Sequence, residues 1–203
     1  MVRSFVEALK AKLAQAPLPP GYHFEIAGQY EHLVHAEQRF AILVPGTLVA
    51  VFVLLYLSFG EARAAGLVLV NVPLATSGGL LALAARGLPL SVSAVVGLLA
   101  LFGVATLNGS VLVSALREHL QDGEDPQEAA KAAAQSRFRP VLTTALVAAV
   151  GFVPMALATG SGAEVQRPLA TVVIGGLVTA TILTLGVLPS LGARVLAPRK
   201  SAG

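Results

Sequence analysis

The chain has 203 residues, of which 55% are hydrophobic and only 12% are charged, and its formal net charge is +3. Soluble domains carry about 25% charged residues, so this composition indicates an integral membrane protein. Cysteine is absent, which excludes a disulfide scaffold, a thiolate metal site and a thiol nucleophile. The basic residues are dispersed, form no nucleic-acid patch and therefore predict no nucleic-acid partner.

The first 39 residues precede any long apolar segment. Residues 1–16 alternate charged and apolar side chains, which favours an amphipathic helix over a signal peptide. PLPPG at 17–21 predicts a turn, and YHFEIAG at 22–28 predicts a strand. A lone helix and strand cannot close a core. Residues 1–39 are therefore predicted to be a small α/β remnant at the end of a larger domain on the outer side of the membrane, which begins upstream. The alternative is a simple tail carried across by the first span.

Apolar segments long enough to cross a membrane, which takes about 20 residues, dominate the remainder of the chain. The sequence predicts five spans, at about 40–59, 64–85, 90–116, 141–159 and 169–196. We therefore expect an all-α membrane bundle over 40–196, followed by a tail at 197–203.

The joint at 117–140 is much longer than the others. Asp125-Pro126 is a helix-start signal and an alanine-rich run follows it. The sequence therefore predicts a surface helix from about Pro126 to Arg137 within a cytoplasmic loop.

Orientation follows from the lysine and arginine residues near the span ends, because these residues favour the cytoplasmic side. One side holds eight of them and the other side holds three. The eight are Arg63, Arg117, Lys131, Arg137, Arg139, Arg194, Arg199 and Lys200; the three are Arg39, Arg86 and Arg167. This asymmetry predicts a cytoplasmic C-terminus and, with five spans, an N-terminus on the outer side of the membrane.

Small residues recur at four-residue spacing within the spans, a pattern that lets helix backbones approach closely. Such pairs are Ala75 with Gly79, Ala105 with Gly109, and Gly176 with Ala180. We expect Gly79, Gly109, Gly176 and Ala180 to be helix-packing positions. The pattern is common in polytopic proteins and identifies no substrate.

No Asp, Glu, Lys, Arg or His lies deep in any span, so the usual mark of a proton or ion path is missing. The deep polar groups are neutral. They are Asn71, Thr76, Ser93, Thr106, Asn108, Ser110, Ser114, Thr143, Thr144, Thr171, Thr179, Thr181 and Thr184.

The hydrogen-bond partner of Asn108 is a further question, because burying an unpaired amide costs roughly 2–7 kcal/mol. At 1.5 Å per residue, Asn108 on the third span and Thr144 on the fourth share a similar depth. A hydrogen-bonded cluster of Asn108 with Thr143 or Thr144 is one interpretation. The other is that the two threonines bond their own helix backbone and Asn108 pairs locally.

His32 and His35 are three residues apart, with Glu31 beside them. Two imidazoles at this spacing share one helix face, but a stable metal site usually takes a third or fourth ligand. A solvated helix face is the better interpretation, and the sequence predicts no metal site and no cofactor.

The segment RFRPVLTTALVAAVGFVPMALATGSGAEVQRPLATVVIGGLVTATILTLGVLPSL, 137–191, resembles the last two membrane helices of resistance–nodulation–division (RND) efflux pumps. The likeness is to their CusA/CzcA heavy-metal branch. LFGVATLNGSVLVS at 101–114 resembles the third-from-last helix. LPPGYHFEIAGQYEHLVHAEQRF at 18–40 resembles the end of the periplasmic porter region and the entry into the eighth span.

The resemblance implies part of a homotrimeric pump of the bacterial inner membrane that exports heavy-metal cations in exchange for protons. Such a pump docks to a periplasmic adaptor protein and an outer-membrane channel. The chain would supply five of twelve spans, as the C-terminal half of the RND transmembrane repeat region, in contact with membrane lipid. The essential acidic residues of the family lie on a fourth span outside this chain, so we expect it to be inactive alone.

The resemblance also implies a role for Asn108. In the multidrug branch a lysine precedes this asparagine and a threonine of the next span faces it; here those positions are Leu107 and Thr144. Asn108, Thr143 and Thr144 would then be neutral neighbours of a proton relay. Leu107 disfavours the alternative of a multidrug-type exporter. A stand-alone membrane scaffold is a further alternative. An enzyme is not expected, because the sequence contains no nucleophile–base set.

Overall fold

The computed structural model describes the backbone of residues 29–196 and the side chains of residues 40–196. Regular structure in that range is helical. The helices are α1 Gln29–Phe59, α2 Ala62–Ala85, α3 Val92–Gln121, α4 Pro126–Ala156, α5 Ala163–Gly186 and α6 Leu188–Leu196. The first five are long and apolar enough to cross a membrane, so the predicted all-α membrane fold is confirmed. The predicted helix at 1–16, the predicted strand at 22–28 and the side chains of His32 and His35 lie outside the described residues.

The chain divides into two compact units, residues 1–47 and residues 48–203, and α1 runs across their boundary. In the first unit, the Thr47 hydroxyl donates to the Leu43 carbonyl at 2.7 Å, one turn back along α1. This local bond satisfies a hydroxyl that would otherwise be unpaired in an apolar helix.

In the second unit, α5 is the central helix, because its contacts with α2, α3 and α4 are the most extensive in the bundle; it also packs against α6. Its closest contact is with α2, where Gly175 faces Gly78: a Cβ atom on Gly175 would lie 2.8 Å from the Gly78 carbonyl oxygen. A Cβ atom on Gly176 would lie 3.0 Å from the Ala75 carbonyl oxygen. Side chains at these positions would push the two helices apart. Glycine therefore sets the α2–α5 spacing.

The predicted helix-packing positions sit as follows. A Cβ atom on Gly79 would lie 3.0 Å from both the Val172 carbonyl oxygen and Val172 Cγ1 on α5, and Ala180 is buried. On α3, a Cβ atom on Gly109 would lie 3.2 Å from Val68 Cγ1 of α2.

Helix α4 differs from the prediction of a surface helix ending near Arg137. It begins at Pro126, where the Asp125 carboxylate accepts a hydrogen bond from the Gln127 amide, and it continues without a break to Ala156. Ala129 and Ala133 are fully buried in the core at that end of the bundle. Pro140 lacks the N–H that would bond the Ser136 carbonyl, and its ring crowds that carbonyl, so the helix is weaker at this point. Burial of the alanine face holds the segment in line with the span.

The last apolar segment is two helices instead of the single predicted span at 169–196. Helix α5 begins earlier, after Gly162 in the left-handed conformation with φ of 89°, and ends at Gly186. Helix α6 follows from Leu188. Pro189 lacks the N–H that would bond the Leu185 carbonyl, and proline is well tolerated in the first turn of a new helix. This explains why the helix is interrupted at Val187.

Candidate functional site

Asn71 of α2 is the polar centre of the bundle and is only 1% exposed. Its Nδ2 atom donates to the Ala105 carbonyl oxygen of α3 at 3.2 Å and to Thr184 Oγ1 of α5 at 2.5 Å. Thr184 is fully buried. One amide group therefore connects three helices through both of its N–H donors.

Small residues of α3 lie beside this contact. Ala105 provides the carbonyl that accepts from Asn71 Nδ2, and a Cβ atom on Gly109 would lie at an ordinary contact distance of 3.5 Å from the same nitrogen. The remaining polar atom of the amide, Asn71 Oδ1, is buried and has no hydrogen-bond partner. A buried acceptor without a partner is uncommon in folded proteins.

Asn108 is buried, with 6% of its surface exposed, whereas its neighbour Leu107 is 58% exposed. It lies one residue before Gly109 and three residues after Ala105, on the same buried face of α3. Within residues 40–196 its amide makes no side-chain hydrogen bond, so the Asn108 amide keeps its donors and acceptor for another group.

Thr143 and Thr144 lie on the exposed side of α4. The Thr144 hydroxyl donates to the Pro140 carbonyl at 2.9 Å, which is the local backbone bond that one interpretation expected. The closeness of Asn108 to either threonine stays a prediction.

The buried polar side chains of the described spans are all neutral. They are Asn71, Asn108, Thr171, Thr181 and Thr184. Amides and hydroxyls exchange hydrogen bonds with water but do not change charge near neutral pH. The described residues also contain no group of three or more His, Asp or Glu side chains that could hold a metal ion. The arrangement can orient water, and it cannot by itself store a proton.

Two arginines bind helix C-termini at opposite ends of the bundle. Arg86, just after α2, donates from Nη1 to Thr171 Oγ1 at 2.6 Å and from Nη2 to the Ala156 carbonyl at 2.8 Å. Arg117 of α3 donates to the Phe59 carbonyl at 2.8 Å, and its guanidinium lies 5.6 Å from the centre of the Phe59 ring. Positive charge is favourable at a helix C-terminus. Each arginine therefore joins two or more helices at a membrane surface.

Sequence reasoning missed these roles. It used Arg86 and Arg117 only to orient the chain, and it named Asn71 and Thr184 as deep polar groups without pairing them. The Ala105–Gly109 spacing could have indicated where Asn71 makes its contacts, because it marks the side of α3 that α2 approaches. For Arg86, the signal is a single cation beside the short joint at 86–89; Arg117 begins the long joint at 117–140 and carries no such signal.

Comparisons with a family profile, with known sequences and with solved structures all indicate the same family. A profile of the AcrB/AcrD/AcrF family matches residues 1–194. The nickel and cobalt resistance protein CnrA of Cupriavidus metallidurans is 54% identical over 98% of this chain and 19% of its own length. The cobalt-zinc-cadmium resistance protein CzcA of the same organism is 50% identical over 94% of this chain and 18% of its own length.

A solved structure is also similar. The crystal structure of a heavy metal efflux pump superposes with a TM-score of 0.78 at 45% identity, over 96% of this chain and 19% of the pump chain. The chain thus spans about a fifth of the length of the relatives it matches, and those relatives are of the CusA/CzcA heavy-metal type. With the profile match over residues 1–194, the chain belongs to the AcrB/AcrD/AcrF family.

Proposed function

We propose that this chain is the five-span part of an inner-membrane pump that exports heavy-metal cations in exchange for protons. The observation that carries the proposal is the 54% identity to a nickel and cobalt resistance protein over 98% of the chain. The five apolar helices fit a membrane location. Because the chain covers 19% of that relative, we assign the activity to a longer protein and not to this chain alone.

Exchange of metal for protons needs a group that gains and loses charge inside the membrane. The polar groups buried in the described spans, with Asn71 and Asn108 as the largest, are neutral. The proton-carrying carboxylates would therefore lie on spans that this chain lacks, and the metal would be bound as substrate outside it.

In this proposal Asn108, Thr143 and Thr144 form a neutral neighbourhood of the proton path. They would hold water beside acidic groups contributed by another span. Two facts support this role: the Asn108 amide makes no side-chain hydrogen bond within residues 40–196, and the two threonines face outward from the bundle. The bond from Asn71 to the Ala105 carbonyl would hold the neighbouring turn of α3 in place.

The assembly that follows is a homotrimer with a periplasmic adaptor protein and an outer-membrane channel as partners. The N-terminus would be periplasmic and the C-terminus cytoplasmic, as the arginine and lysine asymmetry predicts. The exposed residues Leu107, Thr143 and Thr144 would then be covered by spans of the longer protein.

The test is metal flux in liposomes with an imposed pH gradient, using nickel, cobalt, zinc, copper and silver in turn. We expect the 203-residue chain to give no flux above empty liposomes. A longer protein that restores the upstream sequence should give gradient-dependent flux of at least one of these ions.

Flux by the short chain would overturn the assignment of the proton path to other spans. A longer protein that moves no metal but expels a lipophilic dye would instead support a multidrug-type exporter. Absence of both activities, with correct folding shown by circular dichroism, would favour a membrane scaffold.

A further inference from the structure

A groove of about 780 Å³ opens between the start of α4 and the end of α5 with α6, at the predicted cytoplasmic end of the bundle. Its polar lining includes Lys131, Arg194 and Asp125, and its apolar lining includes Leu185 and Pro189. None of these residues belongs to the neighbourhood of Asn108 described above. The groove is therefore a separate candidate site.

The groove is lined by two basic side chains and one acidic side chain. Lys131 and Arg194 are exposed, and neither forms an ion pair with another residue in the range 40–196. Asp125 already accepts a hydrogen bond from the Gln127 amide through Oδ2, which leaves Oδ1 for another donor. Two cations and one carboxylate match a zwitterion that carries a phosphodiester and an ammonium group.

The apolar side of the groove continues toward the middle of the membrane. Ile182 and Val178 follow Leu185 along one face of α5 and are 65% and 53% exposed. At 1.5 Å per residue, this strip runs about 10 Å into the span from Leu185. A ligand with a charged head and an apolar chain would satisfy both regions at once, because water would leave the strip when the chain covers it.

We propose that this groove binds one phospholipid, with its phosphate between Lys131 and Arg194 and its acyl chain along Leu185, Ile182 and Val178. Phosphatidylethanolamine fits best, because its ammonium group is the complement of the Asp125 carboxylate. Basic pockets between membrane helices are a common form of lipid headgroup site. This proposal does not depend on metal transport, so it stands or falls separately from the proposed pump.

The test is native mass spectrometry of the chain in a neutral maltoside detergent, titrated with phosphatidylethanolamine, phosphatidylglycerol and phosphatidylcholine. We expect a single lipid bound, with phosphatidylethanolamine preferred. Lys131→Gln and Arg194→Gln should each weaken phosphatidylethanolamine binding by about fivefold, since a basic residue near a lipid surface contributes on this scale.

Asp125→Asn is the sharpest variant. Asparagine caps a helix as well as aspartate does, so α4 should keep its start while the groove loses its negative charge. We expect the preference for phosphatidylethanolamine over phosphatidylcholine to fall, because a quaternary ammonium donates no hydrogen bond and gains little from the carboxylate. Circular dichroism of each variant checks that the helices remain.

The matched control is Arg139→Gln, which removes an exposed cation from the same helix but does not line the groove. It should leave lipid binding unchanged. Equal loss in Arg139→Gln and the Lys131 or Arg194 variants would overturn the site in favour of a diffuse surface charge. Full competition by inorganic phosphate would overturn the lipid in favour of a free anion. Cross-linking of a second protein chain through the groove in native membranes would overturn it in favour of a protein partner.

Discussion

Asn71 and Thr184 are 113 positions apart in the sequence, yet Asn71 Nδ2 lies 2.5 Å from Thr184 Oγ1 in the centre of the bundle. The same amide bonds the Ala105 carbonyl of α3. An unpaired amide in apolar surroundings costs roughly 2–7 kcal/mol, depending on the reference state. Rotating α2 about its axis would break both bonds at once, so this contact fixes the orientation of α2 against α3 and α5.

Replacing Asn71 by alanine should therefore loosen three helices together. We expect Asn71→Ala to lower the free energy of unfolding by about 1–3 kcal/mol, since it removes two buried hydrogen bonds and leaves a cavity. Unfolding in mixed detergent micelles, followed by circular dichroism, gives this quantity. A double-mutant cycle with Thr184→Ala should return a coupling of about 0.6–1.7 kcal/mol.

The matched control is Thr181→Ala. Thr181 is also buried on α5, but its hydroxyl bonds the Leu177 carbonyl of its own helix. It should show little coupling to Asn71. Equal coupling of Asn71 to Thr181 and to Thr184 would mean that the Asn71–Thr184 bond does not carry the stabilisation.

The number and type of the spans were predictable from sequence because long apolar runs have few alternatives in a membrane. The Asn71–Thr184 bond was not, because hydropathy does not determine how α2 is rotated against α5. Depth along the spans predicted that Asn108 lies near Thr144, which stays a prediction. Depth alone could not show that Asn71 is the residue that bonds two other helices.

The helix boundaries show the same limit. The sequence predicted a surface helix ending near Arg137, yet α4 continues through Pro140 because Ala129 and Ala133 are buried by other helices. In contrast, Pro189 does separate α5 from α6. A proline removes one donor in both places, and packing on either side decides whether the helix continues.

Close approach of α2 and α5 gives a second prediction. A Cβ atom on Gly78 would lie 2.8 Å from the Gly175 carbonyl oxygen and would overlap Thr179. Gly78→Ala gains up to about 1 kcal/mol of helix propensity but incurs overpacking of about 1–3 kcal/mol. We expect a net loss of stability, measured by the same micelle unfolding.

Gly103→Ala is the control for this change, because a Cβ atom at Gly103 meets no atom within 4 Å. It should be neutral or stabilising. If both substitutions stabilised the chain, the α2–α5 contact would have to be looser than the structure describes.

Arg86 provides a third prediction, because its two bonds need the planar guanidinium. Lysine keeps the charge but carries a single nitrogen, so Arg86→Lys cannot span Thr171 and the Ala156 carbonyl together. We expect faster hydrogen exchange in residues 157–162, which follow α4, while α3 is unchanged. Arg63→Lys is the control, since Arg63 is exposed and makes no side-chain hydrogen bond to the described residues. Exchange that rises equally in both variants would contradict the role of Arg86.

The last prediction concerns Asn108 and Thr144, which we expect to approach within about 8 Å, a separation that one bridging water could serve. The chain has no cysteine, so pairs can be introduced without background. Asn108→Cys with Thr144→Cys should react with a bismaleimide that spans about 8 Å, because shared depth brings the two positions together.

The comparison pair is Asn108→Cys with Leu146→Cys. Leu146 is exposed and lies two residues further along α4, so it points to another side of that helix. More cross-linking at position 146 than at 144 would rule out the predicted contact. Selective linking at 144 would make Thr144→Val, which removes only the hydroxyl, the next variant to examine for proton-driven flux in the longer protein.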